Sequence, residues 1–200
     1  MLVPAEEPPR ARDIIQAIVK LELAPALKAE GFKKSGLTFT RRRGLTTQTI
    51  QFELSSWNRG PRGSFDVRVG VAFDEMRQPD EPPSSHPEFH GVLRQLLPDV
   101  PSFLEVDADI PLPLASARLT QWIMDGVVAR LNRVNALTDF ESTGWAKVQP
   151  WRFPALLAYH LGRDEEAARL IDEEAEYFKD RGLTREELIE WLRLHRLKRE

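Results

Sequence analysis

The stretch GFKKSGLTFTRRRGLTTQTIQFELSSWNRGPRGSFDVRVGVAF, residues 31–73, decides the fold. Apolar and polar side chains alternate along it, the period of strands with one covered and one wet face. In Gly36 to Arg42, Leu37 and Phe39 point one way and Thr38 and Thr40 the other. Gly44 follows at a turn. In Gln48 to Ser56, Ile50, Phe52 and Leu54 share one face, with Gln51, Glu53 and Ser55 opposite. The loop from Trp57 to Ser64 is dense in turn formers. In Phe65 to Phe73, Phe65, Val67, Val69, Val71 and Phe73 form one face, and Asp66, Arg68, Gly70 and Ala72 face away. Three such strands in succession describe an antiparallel sheet covered on one side.

Helical periodicity flanks this sheet. Residues 1–11 read as a tail. Asp13 stands where a cap belongs, and Ile14, Ile15, Ile18, Val19, Leu23 and Leu27 recur at helical spacing. Pro25 should divide that helix, and Gly31 should end it. After the third strand, residues 74–85 are acidic and proline-rich, a loop. Ser85 and Glu88 have capping-box spacing for a short helix to about Leu97, buried through Phe89, Val92, Leu93 and Leu96. Pro98 and Pro101 stop it, and Phe103 to Asp107 reads as a fourth strand. Pro113 opens a helix to about Asn135, with Leu119, Ile123, Val127, Leu131 and Val134 on one side. Asp139 to Gln149 reads as irregular. A helix from Trp151 to Leu161 ends at Gly162, a second is capped by Asp164 and ends before Gly182, and Thr184 with Glu187 forms a capping box for the last. The turn at Leu161–Ala167 resembles the hairpin of a tetratricopeptide repeat, but a single hairpin makes no array.

The expected class is therefore α+β: an antiparallel sheet of three to four strands with helices on one face, then a C-terminal helical hairpin and a final helix. The expected organisation is a tail over 1–11, an α+β domain over 12–145, and a helical segment over 146–200 packed on the same core.

Composition narrows the function classes. The chain has 200 residues and a net charge of −3. The charge is uneven: residues 1–70 hold 12 Lys and Arg against 7 Asp and Glu, and the remainder holds 16 against 24. That surplus is too mild for a typical nucleic-acid binder. Cysteine is absent, which removes disulfides, thiolate catalysis and cysteine zinc sites and fits a reducing cytoplasm. The first residues do not read as a signal peptide, and no apolar run approaches the roughly 20 residues that span a bilayer, so neither export nor a membrane partner is expected.

One resemblance adds to this. Leu27, Lys28, Gly31, Phe32, Lys33 and Lys34, then Gly36, Thr38 and Phe39, Ile50-Gln51-Phe52, Ser55-Ser56-Trp57-Asn58, and Phe65, Val67, Val69 and Gly70 form a pattern. It resembles the DUF4304 family of bacterial proteins. The resemblance implies the fold; it supplies no activity, cofactor or catalytic residue, and it leaves the C-terminal helices outside.

Candidate sites are few. Trp57, Asn58 and Arg59, with Arg62, could hold an anionic or aromatic group by stacking and charge. Arg41, Arg42 and Arg43 with Lys33 and Lys34 could form a basic patch. Arg68 joins Glu53 and Asp66 on the polar sheet face, where Arg41, Arg68 and Trp57 would serve a pocket for an anionic small molecule. His86 and His90 are four apart around Glu88, but Pro87 and the missing third ligand argue against a metal. No nucleophile elbow or phosphate loop is present, so no catalytic residue and no cofactor are expected. The sequence favours a non-catalytic cytoplasmic protein-binding module, immunity-like in its most concrete form. An enzyme or binder of anionic small molecules and a weak nucleic-acid binder are the alternatives.

Overall fold

The computed structural model describes residues 9–58, 60–76, 87–101, 104–107, 109–149 and 152–196. Helix α1 (Ala11–Ile18) runs without a break into a π-helical stretch, Val19–Leu23, and then α2 (Ala24–Ala29). The switch of register falls just before Pro25, the residue whose missing N–H cannot continue the helical ladder, and the helix passes it without being divided. Asp13 lies inside α1 and not at its cap; Arg10 is the capping position and caps through no side chain. The end is a Schellman turn. Gly31 takes φ +85°, its N–H donates to the Lys28 carbonyl, and the Phe32 N–H donates to the Leu27 carbonyl.

Six strands follow where three to four were expected: β1 (Lys33–Ser35), β2 (Thr38–Arg43), β3 (Thr46–Leu54), β4 (Gly63–Phe73), β5 (Phe89–Val92) and β6 (Leu104–Val106). The order is β1-β2-β3-β4-β5, with β6 also on β4. β1 was missed because it is short and wholly exposed, with no alternation to see. It is an edge strand of two lysines and a serine, a composition that discourages further pairing. The expected helix after Ser85 is instead β5 followed by α3 (Leu93–Leu96); Ser85 lies outside the described residues. Glu88 precedes β5, and its Oε2 accepts from the Phe73 N–H at 2.9 Å. The far end of β4 is also buried on both faces. Ala72 is buried, and a side chain at Gly70 would collide with Pro87.

Beyond β6 come α4 (Leu112–Gln121), a π-helical stretch, Trp122–Val128, and α5 (Ala129–Leu131). Leu119, Ile123, Val127, Leu131 and Val134 are all buried, as their spacing requires. Two short 3-10 turns, Leu137–Thr143 and Trp145–Val148, occupy the segment expected to be irregular. The C-terminal helices are α6 (Arg152–His160), α7 (Asp164–Phe178) and α8 (Arg185–Arg196). Asp164 opens α7 instead of capping it. The Thr184–Glu187 box is present: Thr184 N–H donates to Glu187 Oε2 at 3.0 Å, and Glu187 N–H donates to Thr184 Oγ1 at 3.2 Å.

The packing divides into two units. The first holds residues 1–41, 49–69 and 92–129. In it α1 and the stretch after it pack on α4, and the Ser116 hydroxyl donates to the Ile18 carbonyl at 2.9 Å. Phe39, Phe52 and Phe65 form a ring ladder across three strands, with centroids 6.0 and 6.1 Å apart. The second unit holds residues 42–48, 70–91 and 130–200. Its centre is aromatic: Phe73, Phe89, Phe140, Trp145 and Phe153 are all buried and in mutual ring contact. A smaller cluster of Ala155, Ile171 and Leu188 holds α6, α7 and α8 together.

Gln48 is a buried polar residue on the apolar face of β3. Its Nε2 donates to the carbonyls of Leu131 (3.0 Å) and Val134 (2.9 Å), at the C-terminal end of the helix. A helix leaves its last carbonyls without intrahelical donors, and buried ones need an outside partner. Gln48→Leu should therefore cost about 2 kcal/mol in a urea unfolding titration, and Gln48→Glu more, since a carboxylate offers no donor. Gln51→Ala, exposed on the same strand, should change stability by less than about 0.5 kcal/mol.

Acid should loosen the C-terminal helices first. The Thr184 backbone N–H, and then its hydroxyl, hold the Glu187 carboxyl below its ordinary value. Arg163, donating to Glu141 at 2.5 and 2.8 Å, does the same to that carboxyl. A carboxyl depressed in the folded state stabilises fully above its unfolded value, about 4.3, and loses that contribution as pH falls through the folded value. Amide exchange at the start of α8 should accelerate as pH drops below about 4 relative to the intrinsic rate. Glu187→Gln should flatten that dependence.

Candidate functional site

The site is built from the link between β3 and β4. Ser55 opens a tight turn: its Oγ accepts from the Trp57 N–H at 3.2 Å, and its carbonyl accepts from the Asn58 N–H at 3.2 Å. Asn58 then reaches across. Its Nδ2 donates to the Ser64 carbonyl at 2.9 Å, and its Oδ1 accepts from the Ser64 N–H at 2.7 Å. One side-chain amide thus imitates a paired strand residue. Gly63 permits this approach, since a Cβ there would lie 2.7 Å from Asn58 Oδ1. The Ala11 N–H donates to the Gly60 carbonyl at 2.8 Å and ties the loop to the start of α1.

These bonds hold backbone groups on either side of the Trp57 side chain. Trp57 is 80% exposed. It lines a concavity of about 590 Å³ with Asn58, Arg62, Glu105, Asp107 and Asp109. The pairing of β6 with β4 brings the acids here: Gly63 lies opposite Val106, and Ser64 opposite Glu105. Arg62 Nε pairs with Asp107 Oδ2 at 2.6 Å. Among the described lining residues, three carboxylates therefore meet one guanidinium. The described lining is thus net negative, the same sign as the anionic ligand expected beside Trp57; Arg59 lies outside the described residues.

The other named arginines go elsewhere. Arg41 is buried: its Nη1 donates to the Glu30 carbonyl at 2.9 Å, and its guanidinium lies 4.4 Å from the Phe32 ring centroid. A cation there suits the negative end of α2. Arg42 is hydrogen-bonded to Asp74. Arg43 is half-buried at the end of β2, and its carbonyl accepts from the Thr46 hydroxyl at 2.8 Å. Arg68 pairs with Glu53 at 2.7 Å, an ion pair between β4 and β3, and Arg94 of α3 pairs with Asp66 of β4 at 2.7 Å. Neither Arg41 nor Arg68 lines the Trp57 concavity. His90 is exposed on β5, and His86 lies outside the described residues. Among the described residues, no three His, Asp or Glu are gathered as metal ligands.

The sequence singled out Trp57 and Asn58 as candidates and not Glu105, Asp107 and Asp109, which line the same concavity. Those acids alternate with other residues, which places them on one side of an extended segment. That signal was present, but nothing local said which loop the segment would join.

Residues 23–132, more than half of the chain, match a family model described as "Domain of unknown function (DUF4304)". No curated protein and no solved structure matches the chain. Trp57 and the three acids lie inside the matched span, and α6, α7 and α8 lie outside it.

Asn58→Ala removes both bonds to Ser64. It should lower stability by about 1–2 kcal/mol in chemical denaturation and raise proteolytic cleavage at the Trp57 loop. Trp57→Ala should leave stability within about 0.5 kcal/mol of the parent, because so exposed a side chain packs on little.

Proposed function

This chain belongs to the DUF4304 family, and on that premise we propose that it is a non-catalytic protein-binding module of the bacterial cytoplasm. The observation that carries the reading is Trp57, 80% exposed on a loop pinned by Asn58. Burying an indole of about 200 Å² is worth several kcal/mol at about 25 cal/mol per Å². A rigid loop has little ordering entropy to lose when a partner covers it. Tryptophan is enriched among the residues that dominate binding energy for this reason.

Glu105, Asp107 and Asp109 set the partner's character, a basic segment drawn in by complementary charge. The arginines that suggested a basic patch support this choice, since Arg41 and Arg42 are engaged with Glu30 and Asp74. The cytoplasmic assignment rests on the absence of cysteine, together with the fact that no helix among the described residues is long and apolar enough to cross a membrane. An immunity-like role is the most concrete form: the Trp57 surface would cover a basic face of a toxin.

The test is cross-linking from the site itself. A photoreactive amino acid replaces Trp57 in cells of the source bacterium, and the cross-linked peptides are sequenced. The reading expects one dominant partner, attached through a segment rich in Lys and Arg, and the same partner lost from pull-downs with Glu105→Lys/Asp109→Lys. Attachment through acidic segments, or equal capture by the charge-reversed protein, contradicts it.

A further inference from the structure

The apolar surface continues past Trp57. A second concavity, of about 320 Å³, shares Glu105, Val106 and Ile110 with the first. Its walls include Phe65 and Leu104 from the sheet and Leu114, Leu119 and Trp122 from α4 and the stretch after it. Leu114 and Ile110 are exposed, and Ala115 is half-covered. A soluble protein gains nothing from leaving such side chains in water, and contiguous apolar surface rimmed by charge marks an interaction site.

We infer that the partner's basic segment carries one large apolar side chain that seats in this second concavity, while flanking Lys or Arg residues meet Glu105, Asp107, Asp109 and the face of Trp57. The inference rests on the binding reading above and adds the recognition pattern. Glu105 and Arg118 are the charged residues of a lining that is otherwise apolar, so an apolar side chain suits its floor better than an ion, which would lose water there. The shared wall at Glu105 and Ile110 puts the acids next to the apolar seat, so one short segment can satisfy both. The Trp57 ring adds an aromatic face for a guanidinium or ammonium. Anchor side chains filling pockets inside a charged rim are how small interfaces concentrate their energy.

A phage-displayed library of random peptides, selected on the full chain and counter-selected on Trp57→Ala, tests this. Enriched peptides should carry a large apolar residue flanked by Lys or Arg. Synthesised and labelled, they should bind in fluorescence polarisation. Ala115→Phe, which fills the seat, should weaken them on the order of tenfold, and Ala115→Leu, a smaller filler, by an intermediate factor. Basic peptides that depend on Trp57 but ignore both Ala115 variants overturn the seated anchor and leave the binding reading standing. Enriched peptides that are apolar without basic residues also overturn the inference. No enrichment over Trp57→Ala removes the binding surface itself, and the inference with it.

Discussion

One side chain ties strand β3 to the end of α5 and the turn after it. Gln48 donates to the carbonyls of Leu131 and Val134, where the helix has run out of its own donors. The Leu131 carbonyl also accepts from the Val134 N–H, and Gln48 supplies a donor to the Val134 carbonyl beyond it. The hairpin that carries Gln48 is fastened along its tip. Leu45 N–H donates to the Asn135 carbonyl at 2.6 Å, and the Leu45 carbonyl accepts from Asp74 N–H at 2.9 Å. Gly44 lies so close to Asn135 that a side chain would not fit, and its φ of +54° suits glycine. Downstream, Asp139 Oδ2 accepts from the Asn135 and Ala136 N–H groups, and Glu75 Oε2 from Leu137 N–H. The hairpin tip that reads in the sequence as part of a basic patch is fastened to Asn135 and Asp74 through the backbone of Leu45.

Much of this fold was legible. Period-two alternation in Ile50, Phe52, Phe65, Val67 and Val69 marked the sheet, because a half-covered strand must alternate. What failed did so for physical reasons. Phe89, Val92, Leu93 and Leu96 fit a helix face, but Phe89 and Val92 also fit a strand, and the open edge of β4 decided the matter. Thr46, Gln48 and Arg41 are polar residues on buried positions. Their partners lie far along the chain or in backbone groups, which alternation does not reveal.

The site was half legible. Trp57 and Asn58 stood out as an aromatic and a turn former at a strand end. The electrostatic sign did not, since it comes from acids some fifty residues later that β6 delivers to β4. A run of three arginines reads as a basic patch only until Glu30, Phe32 and Asp74 are placed beside it. Local charge counts in a sequence describe what a surface contains before its partners are subtracted.

The central claim is that the β3–β4 link is built to hold a bare tryptophan in water. Hydrogen exchange in the free protein, resolved by NMR at single groups, tests it directly. The account predicts a Ser64 amide protected to the level of the sheet, because Asn58 holds it at 2.7 Å, and a Trp57 indole N–H exchanging at the rate of an open side chain. A fast Ser64 amide would mean a floppy loop, and a protected indole would mean a tryptophan covered by its own chain. Either result contradicts the account.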